Sequence, residues 1–190
     1  MNKIESAVSF ALEAHSGVCR KGTPIPYILH PLEAAAIASS ITGDEDVIAA
    51  AVLHDIIEDT PFGQEDIRAR FGDRVLRLVL SDTENKRNER PAEETWKIRK
   101  QETLERLEFA RDDELIVIFS DKLANLRAIW NDYLLIGEAL WNRFAQTDPE
   151  EQLWYYRGIY SGCARLKAYP AYREFGIKLR DLREHNMPNT

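Results

Sequence analysis

The chain has little cysteine, no excess of positive charge and no long apolar run. Cys19 and Cys163 are its two cysteines among 190 residues. Thiols so far apart supply neither a disulfide framework nor metal-ligand spacing, and reduced thiols in a cytoplasmic protein are expected. No run of about 18 apolar residues occurs, so no membrane span is expected. The opening MNKIESAVSFALEAH carries an acidic residue early and lacks the basic-then-apolar layout of a signal peptide. A net charge of −7 argues against general nucleic-acid binding. Repeats, low-complexity tracts and linkers are also missing. At 44% hydrophobic and 30% charged residues, the composition is that of a soluble globular protein. The length suits one buried domain over residues 1–190, with the tail 186–190 frayed.

What is present reads as consecutive helices. Ile4, Ala7, Val8, Ala11 and Ala14 form one stripe over 3–15. The loop SGVCRKGTPIPYI follows. HPLEAAAIASSITG then predicts a helix with Pro31 in its first turn and Gly43 as its C-terminal cap. Asp44 is placed to cap a third helix running to about Asp59, before Pro61. QEDIRARFG predicts a short helix ending at Gly72, continued by DRVLRLVLSD. Residues 81–95 are polar and irregular, a candidate lid. Helical periodicity returns over 96–110. The LIVIF core of DELIVIFSDKLANLRAIW could be a strand. Leu115, Ile118, Phe119, Lys122, Leu123 and Leu126 keep three-and-four spacing beyond it, which favours helix. Further helices are predicted over 132–144, 150–168 and 171–185. The expected fold class is all-α.

The stretch HDIIEDT (54–60) holds His54, Asp55, Glu58 and Asp59 immediately after the apolar Ala51, Val52 and Leu53. Buried unpaired charges are costly, and a metal ion offsets that cost. Residues four apart share a helix face, so His54 lies above Glu58 and Asp55 above Asp59. His30 and Asp121 are candidate ligands from other segments. Two imidazoles and two carboxylates with open positions suit Mn²⁺, Fe²⁺ or Zn²⁺. A divalent ion there would lower the pKa of a water molecule enough to make it a nucleophile near neutral pH. Glu58 and Asp59 are then candidates for proton handling. One locally basic stretch, KRNERPAEETWKIRK (86–100), holds six basic and three acidic residues, leaving −10 for the remainder. It is compatible with a small anionic ligand or with a solvated helix face.

With these residues in view, the chain resembles the HD phosphohydrolase superfamily. It is most similar to the alarmone hydrolase domain of RelA/SpoT-type proteins and to the stand-alone small alarmone hydrolases. RKGTPIPYILHPLEAA (20–35), AAVLHDIIEDT (50–60), IRARFGDRVLRLV (67–79) and SDKLANLR (120–127) carry the likeness. The resemblance implies an HD-type helical bundle binding one Mn²⁺ through His30, His54, Asp55 and Asp121, with Glu58 and Asp59 as the catalytic pair. It implies substrate contacts from Arg20, Lys21, Lys97, Arg99, Lys100, Asn125 and Tyr155. Its reaction is removal of the 3′-pyrophosphate of ppGpp and pppGpp, with a small nucleotide as the partner. FSDK stands where the family often has an LADK-like run, and the chain diverges after residue 130. No synthetase domain is expected there. The divergence leaves other substrates open, among them an adenine alarmone or NADPH, or a nucleotide-binding antidote role. Packing accounts as well for Trp154, Tyr155 and Tyr156, and His15 reads as a helix-end residue near the site rather than a ligand.

Overall fold

A computed structural model describes residues 2–186. Residues 187–190 of the tail predicted to fray lie outside this range. The chain divides into two compact units, Met1–Glu84 with Ala110–Ala124 and Asn85–Phe109 with Asn125–Thr190. The predicted all-α class holds in both. Among the described residues, the extended pairing is a lone bridge between Cys19 and Pro26.

The first unit is arranged around one short apolar helix. It contains α1 (Lys3–Ala14), α2 (Leu29–Ser39), α3 (Glu45–Leu53), α4 (Ile56–Asp59), α5 (Gln64–Asp82) and the start of α7 (Asp112–Ile136). Every α3 residue from Val47 to Leu53 is buried. Helices α1, α2 and α5 all pack on it. Its alanines, at 49–51, let these neighbours approach closely, while Val52 and Leu53 supply side-chain bulk. Burying a leucine of this kind contributes about 1.5–3 kcal/mol.

Local chemistry sets the helix ends. Asn2 and Glu5 form a reciprocal capping box on α1 at 2.8 and 2.9 Å. Asp44 Oδ1 accepts from the Asp46 amide at 3.0 Å, giving the predicted cap of α3. Gly72 adopts φ +86°, a left-handed conformation that breaks α5 where the sequence predicts a helix to end.

The structure departs from the sequence reading in five places, the first being that the helix predicted over 150–168 ends at Gly162 and is followed by a separate 3₁₀ turn, Ala164–Leu166. The third helix is interrupted: α3 stops at Leu53 and α4 begins at Ile56. His54 Nδ1 donates to the Ala51 carbonyl at 2.9 Å, the acceptor a continuing helix would offer to the Asp55 amide. Helix α2 ends at Ser39 with Ser40 in right-handed geometry, so Gly43 is not its cap. Helix α6 (Ala92–Phe109) starts before residue 96, shortening the irregular segment to 83–91. The helix predicted over 132–144 is instead the end of α7 and a 3₁₀ segment, Gly137–Arg143, separated where Gly137 turns to φ +58°.

The second unit holds α6, the remainder of α7, α8 (Pro149–Gly162) and α9 (Pro170–Asn186), with a short 3₁₀ turn at Ala164–Leu166. Helix α8 packs on both α6 and α9. Gly158 and Gly162, one turn apart, give it a flat face. A Cβ at either would lie 2.6 or 2.7 Å from Leu104 or Leu107 of α6.

Candidate metal centre

The four proposed ligands come from three parts of the first unit. His30 lies in the first turn of α2, His54 and Asp55 occupy the break between α3 and α4, and Asp121 sits inside α7. His30, His54 and Asp121 are all buried. The two imidazoles face each other with their Nε2 atoms 3.2 Å apart. Asp121 Oδ1 lies 2.9 Å from His30 Nε2 and 3.3 Å from His54 Nε2. Asp55 Oδ2 lies 3.0 Å from His54 Nε2 and 3.5 Å from His30 Nε2.

These spacings fit a shared cation. Ligand atoms about 2.1 Å from one ion, at angles between octahedral and tetrahedral, are about 3.0–3.4 Å apart. The Nδ1 bond to Ala51 fixes the tautomer of His54 and leaves its Nε2 lone pair aimed at the other donors. His30 Nδ1 is buried with no hydrogen-bond partner among the described residues. The donor set is two nitrogens and two carboxylate oxygens, with no thiolate.

The electrostatics are those of a cation site. Burial alone would lower the His54 pKa, but Asp55 and Asp121 outweigh it and raise it well above the usual range. Burial likewise opposes ionisation of Asp121. Lys122, His54 and His30 prevail and hold its carboxyl well below the ordinary value. Asp55 is also held low, by His54 and His30 against burial. The carboxylates of Asp55 and Asp121 thus favour positive charge at this point.

Three residues that the sequence reading did not assign complete the site. Tyr27 donates its hydroxyl to Asp55 Oδ2 at 2.6 Å and approaches Asp59 Oδ2 at 3.1 Å. Burial and those carboxylates push its phenol pKa far upward, keeping the proton on oxygen. Lys122 pairs with Asp121 and with Asp82 Oδ1, the latter at 2.9 Å. Asp82 is buried, and its Oδ2 has no partner among the described residues. Burial, opposed by Lys122, leaves its pKa at about 6. Tyr27 sits in the quoted PYILHP stretch and Lys122 directly follows Asp121, so both were within reach of the sequence. Asp82 gave no signal beyond an acid closing an apolar helix.

The remaining candidates are placed as follows. Glu58 is half-buried in α4 and accepts from the Glu84 amide at 2.7 Å. Asp59 is exposed one residue on. Arg20 and Lys21 lie in the turn closed by the Cys19–Pro26 bridge, where the Arg20 amide donates to Ile25 O at 2.8 Å. His15 caps the C-terminal end of α1, buried, its ring 4.8 Å from that of Tyr27. It lies near the site, as the sequence suggested. Burial lowers its pKa although Asp55 and Asp59 act to raise it.

Lys97, Arg99, Lys100, Asn125 and Tyr155 belong to the second unit. There Lys97 pairs with Glu151 and covers the Trp154 ring at 3.4 Å. Lys100 Nζ lies 4.7 Å from the Tyr155 ring. Tyr155 is 2% exposed and packs edge-on against Trp96 and Tyr156. Asn125 follows Asp121 by one turn of α7.

Comparison with known proteins gives a consistent set of likenesses. A guanosine-3′,5′-bis(diphosphate) 3′-pyrophosphohydrolase of Aquifex aeolicus is 37% identical over 129 residues, covering 67% of this chain and 18% of the relative. A GTP pyrophosphokinase of Streptomyces coelicolor is 35% identical over 131 residues, covering 68% and 15%. The chain therefore spans less than a fifth of these curated relatives. The 1.85 Å crystal structure of lmo0812 from Listeria monocytogenes EGD-e is 32% identical, with TM-score 0.71 over 84% of this chain and 96% of that one. A structure described as a metazoan ortholog of SpoT that hydrolyzes ppGpp superposes at TM-score 0.75 over 99% of this chain and 98% of that one; at 22% identity it speaks to the fold alone. A family model described as HD domain matches residues 7–145.

Proposed function

We infer the activity from one premise: this chain belongs to the HD domain family. The observation that carries the reading is the convergence of the His30 and His54 Nε2 atoms with Asp121 Oδ1 at 2.9–3.3 Å, with Asp55 Oδ2 3.0 and 3.5 Å from the same two nitrogens. We assign the chain the hydrolysis of the 3′-pyrophosphate of ppGpp and pppGpp, yielding GDP or GTP and pyrophosphate. Supporting the substrate class are the relatives whose names state that activity. His30, His54, Asp55 and Asp121 would hold one Mn²⁺, with Fe²⁺ or Zn²⁺ as alternatives for the same donor set. When bound, the ion would supply Lewis acidity, lowering the pKa of water and polarising a phosphoryl oxygen.

The chain's own groups divide the remaining work. Tyr27 holds the Asp55 carboxylate in place with one hydroxyl and reaches Asp59 with the same oxygen. Glu58 and Asp59 are assigned proton transfer: one accepts a proton from the attacking water, and the other gives one to the departing 3′-oxygen. Arg20 and Lys21 are assigned phosphate contacts, a guanidinium being suited to bidentate binding of phosphate oxygens. The same reading places the protein in the cytoplasm, with the nucleotide as its partner.

The test is product analysis by anion-exchange chromatography. Protein stripped with chelator and reloaded with Mn²⁺ is incubated with ppGpp, its adenine counterpart and NADPH. Mn²⁺-dependent release of pyrophosphate and GDP from ppGpp is the expected result. Turnover of either other compound with ppGpp untouched would overturn the substrate assignment. Full activity of His54→Ala would overturn the site.

A further inference from the structure

A second candidate site lies entirely within the second unit. Helices α8 and α9 border a cavity of about 400 Å³ lined by Arg157, Arg173, Arg180 and Arg183, with Leu153, Ile177 and Leu179 contributing apolar surface. That volume falls in the range of small-molecule pockets, about 300–1,000 Å³. The arginines are arranged by helical spacing. Arg173, Arg180 and Arg183 fall along one side of α9, and the ten residues from first to last cover about 15 Å. Arg157 comes from α8, one turn after Leu153.

Their electrostatic state is unusual in an acidic protein. Residues 149–186 hold seven Lys and Arg against five Asp and Glu, in a chain of net charge −7. Arg157 and Arg180 have weak, same-helix contacts: Glu150 at 3.5 Å, Asp181 at 3.2 Å and Glu184 at 3.9 Å. Exposed pairs of this kind contribute little and are easily exchanged for a stronger anion. Arg173 and Arg183 make no ion pair or side-chain hydrogen bond among the described residues. Four guanidinium groups line the cavity, and the long contacts of Arg157 and Arg180 with Glu150, Asp181 and Glu184 offset only part of their charge. Folding does not need this arrangement, since none of the four is buried.

We propose that this cavity binds a nucleotide carrying more than one phosphate group. Guanidinium pairs grip phosphate oxygens bidentately, which a carboxylate-poor groove leaves open to them. Ile177, which is exposed, and Tyr160 give the nucleoside an apolar surface that bare inorganic phosphate cannot use. A compact cavity of this volume suits a small molecule rather than a long acidic peptide.

The experiment is isothermal titration calorimetry with GDP and, separately, inorganic pyrophosphate, in chelator so that no divalent ion bridges the ligand elsewhere. The full chain is compared with Arg173→Glu/Arg183→Glu, and with Arg165→Glu/Lys167→Glu, exposed residues of the same unit outside the cavity lining, as a charge-matched control. All three are checked by circular dichroism for equal helicity. Expected is saturable GDP binding weakened at least tenfold by the cavity pair and less than twofold by the control, and retained in Asp55→Ala. GDP is also expected to bind more tightly than pyrophosphate. The proposal is overturned by no saturable binding, by equal weakening in the two charge-reversed variants, or by loss of binding in Asp55→Ala. Equal affinity for GDP and pyrophosphate would overturn the nucleotide assignment.

Discussion

Lys122 is the residue whose removal should do most damage without touching a proposed ligand. Its ammonium lies 2.9 Å from Asp82 Oδ1 and also pairs with Asp121, and all three residues are buried. At an effective dielectric constant of about 20, unit charges at the 2.9 Å separation attract by about 6 kcal/mol before desolvation is counted. Desolvation consumes much of this, yet removing one partner strands the other, and broken buried pairs cost about 3–5 kcal/mol. Lys122→Met should therefore destabilise the metal-free chain by about 3–5 kcal/mol. Lys122→Met/Asp82→Asn should recover about 1–3 kcal/mol of that, because a neutral amide tolerates burial better than an unpaired carboxylate. Urea titrations followed by circular dichroism, in chelator, measure both. A second readout is Mn²⁺ affinity, expected to fall about 10–100-fold in any folded Lys122 variant as Asp121 loses the group that orients it. A cost below about 1 kcal/mol for Lys122→Met, or a double variant weaker than the single, would refute the reasoning.

Other outcomes follow from the same geometry. Asp121→Asn should abolish stoichiometric Mn²⁺ binding, read by atomic absorption after dialysis, while leaving helicity intact. Tyr27→Phe deletes the hydroxyl shared by Asp55 and Asp59 and should cut Mn²⁺ affinity by about tenfold, consistent with about 1.5–3 kcal/mol for a bond to a charged group. For Asp82, the folded-state pKa of about 6 exceeds that of an unfolded aspartate. The folded chain then binds this proton more tightly, so the contribution is complete below about pH 4 and is lost as pH rises through about 6. Asp82→Asn should flatten that interval of the urea-midpoint profile in metal-free protein.

Much of the first unit was legible because its signals are local. Asp44 announces a cap, Gly72 a break, and the three-and-four spacing through Lys122 and Leu126 correctly favoured helix over strand for LIVIF. His30, His54 and Asp121 meet from distant positions, with Asp55 beside the two imidazoles, and motif spacing, not periodicity, suggested them. The interruption at His54–Asp55 was invisible, because helical patterning cannot report that an imidazole will occupy a main-chain carbonyl. Asp82 was missed for a related reason. Its partner is 40 residues away, on another helix, and only tertiary packing brings the two together. Gly43 misled because glycine is permitted, but not required, to turn left-handed.

The bond from the Glu84 amide to Glu58 makes a backbone proton an indicator of side-chain state. A carboxylate accepts that proton strongly and a neutral acid accepts it weakly, so the nitrogen-15 and proton shifts of one amide should follow the charge on Glu58. In a labelled sample this single cross-peak gives a titration curve for a residue that has no optical signature of its own. Recorded with bound nucleotide, the same peak would show whether Glu58 carries a proton in the complex.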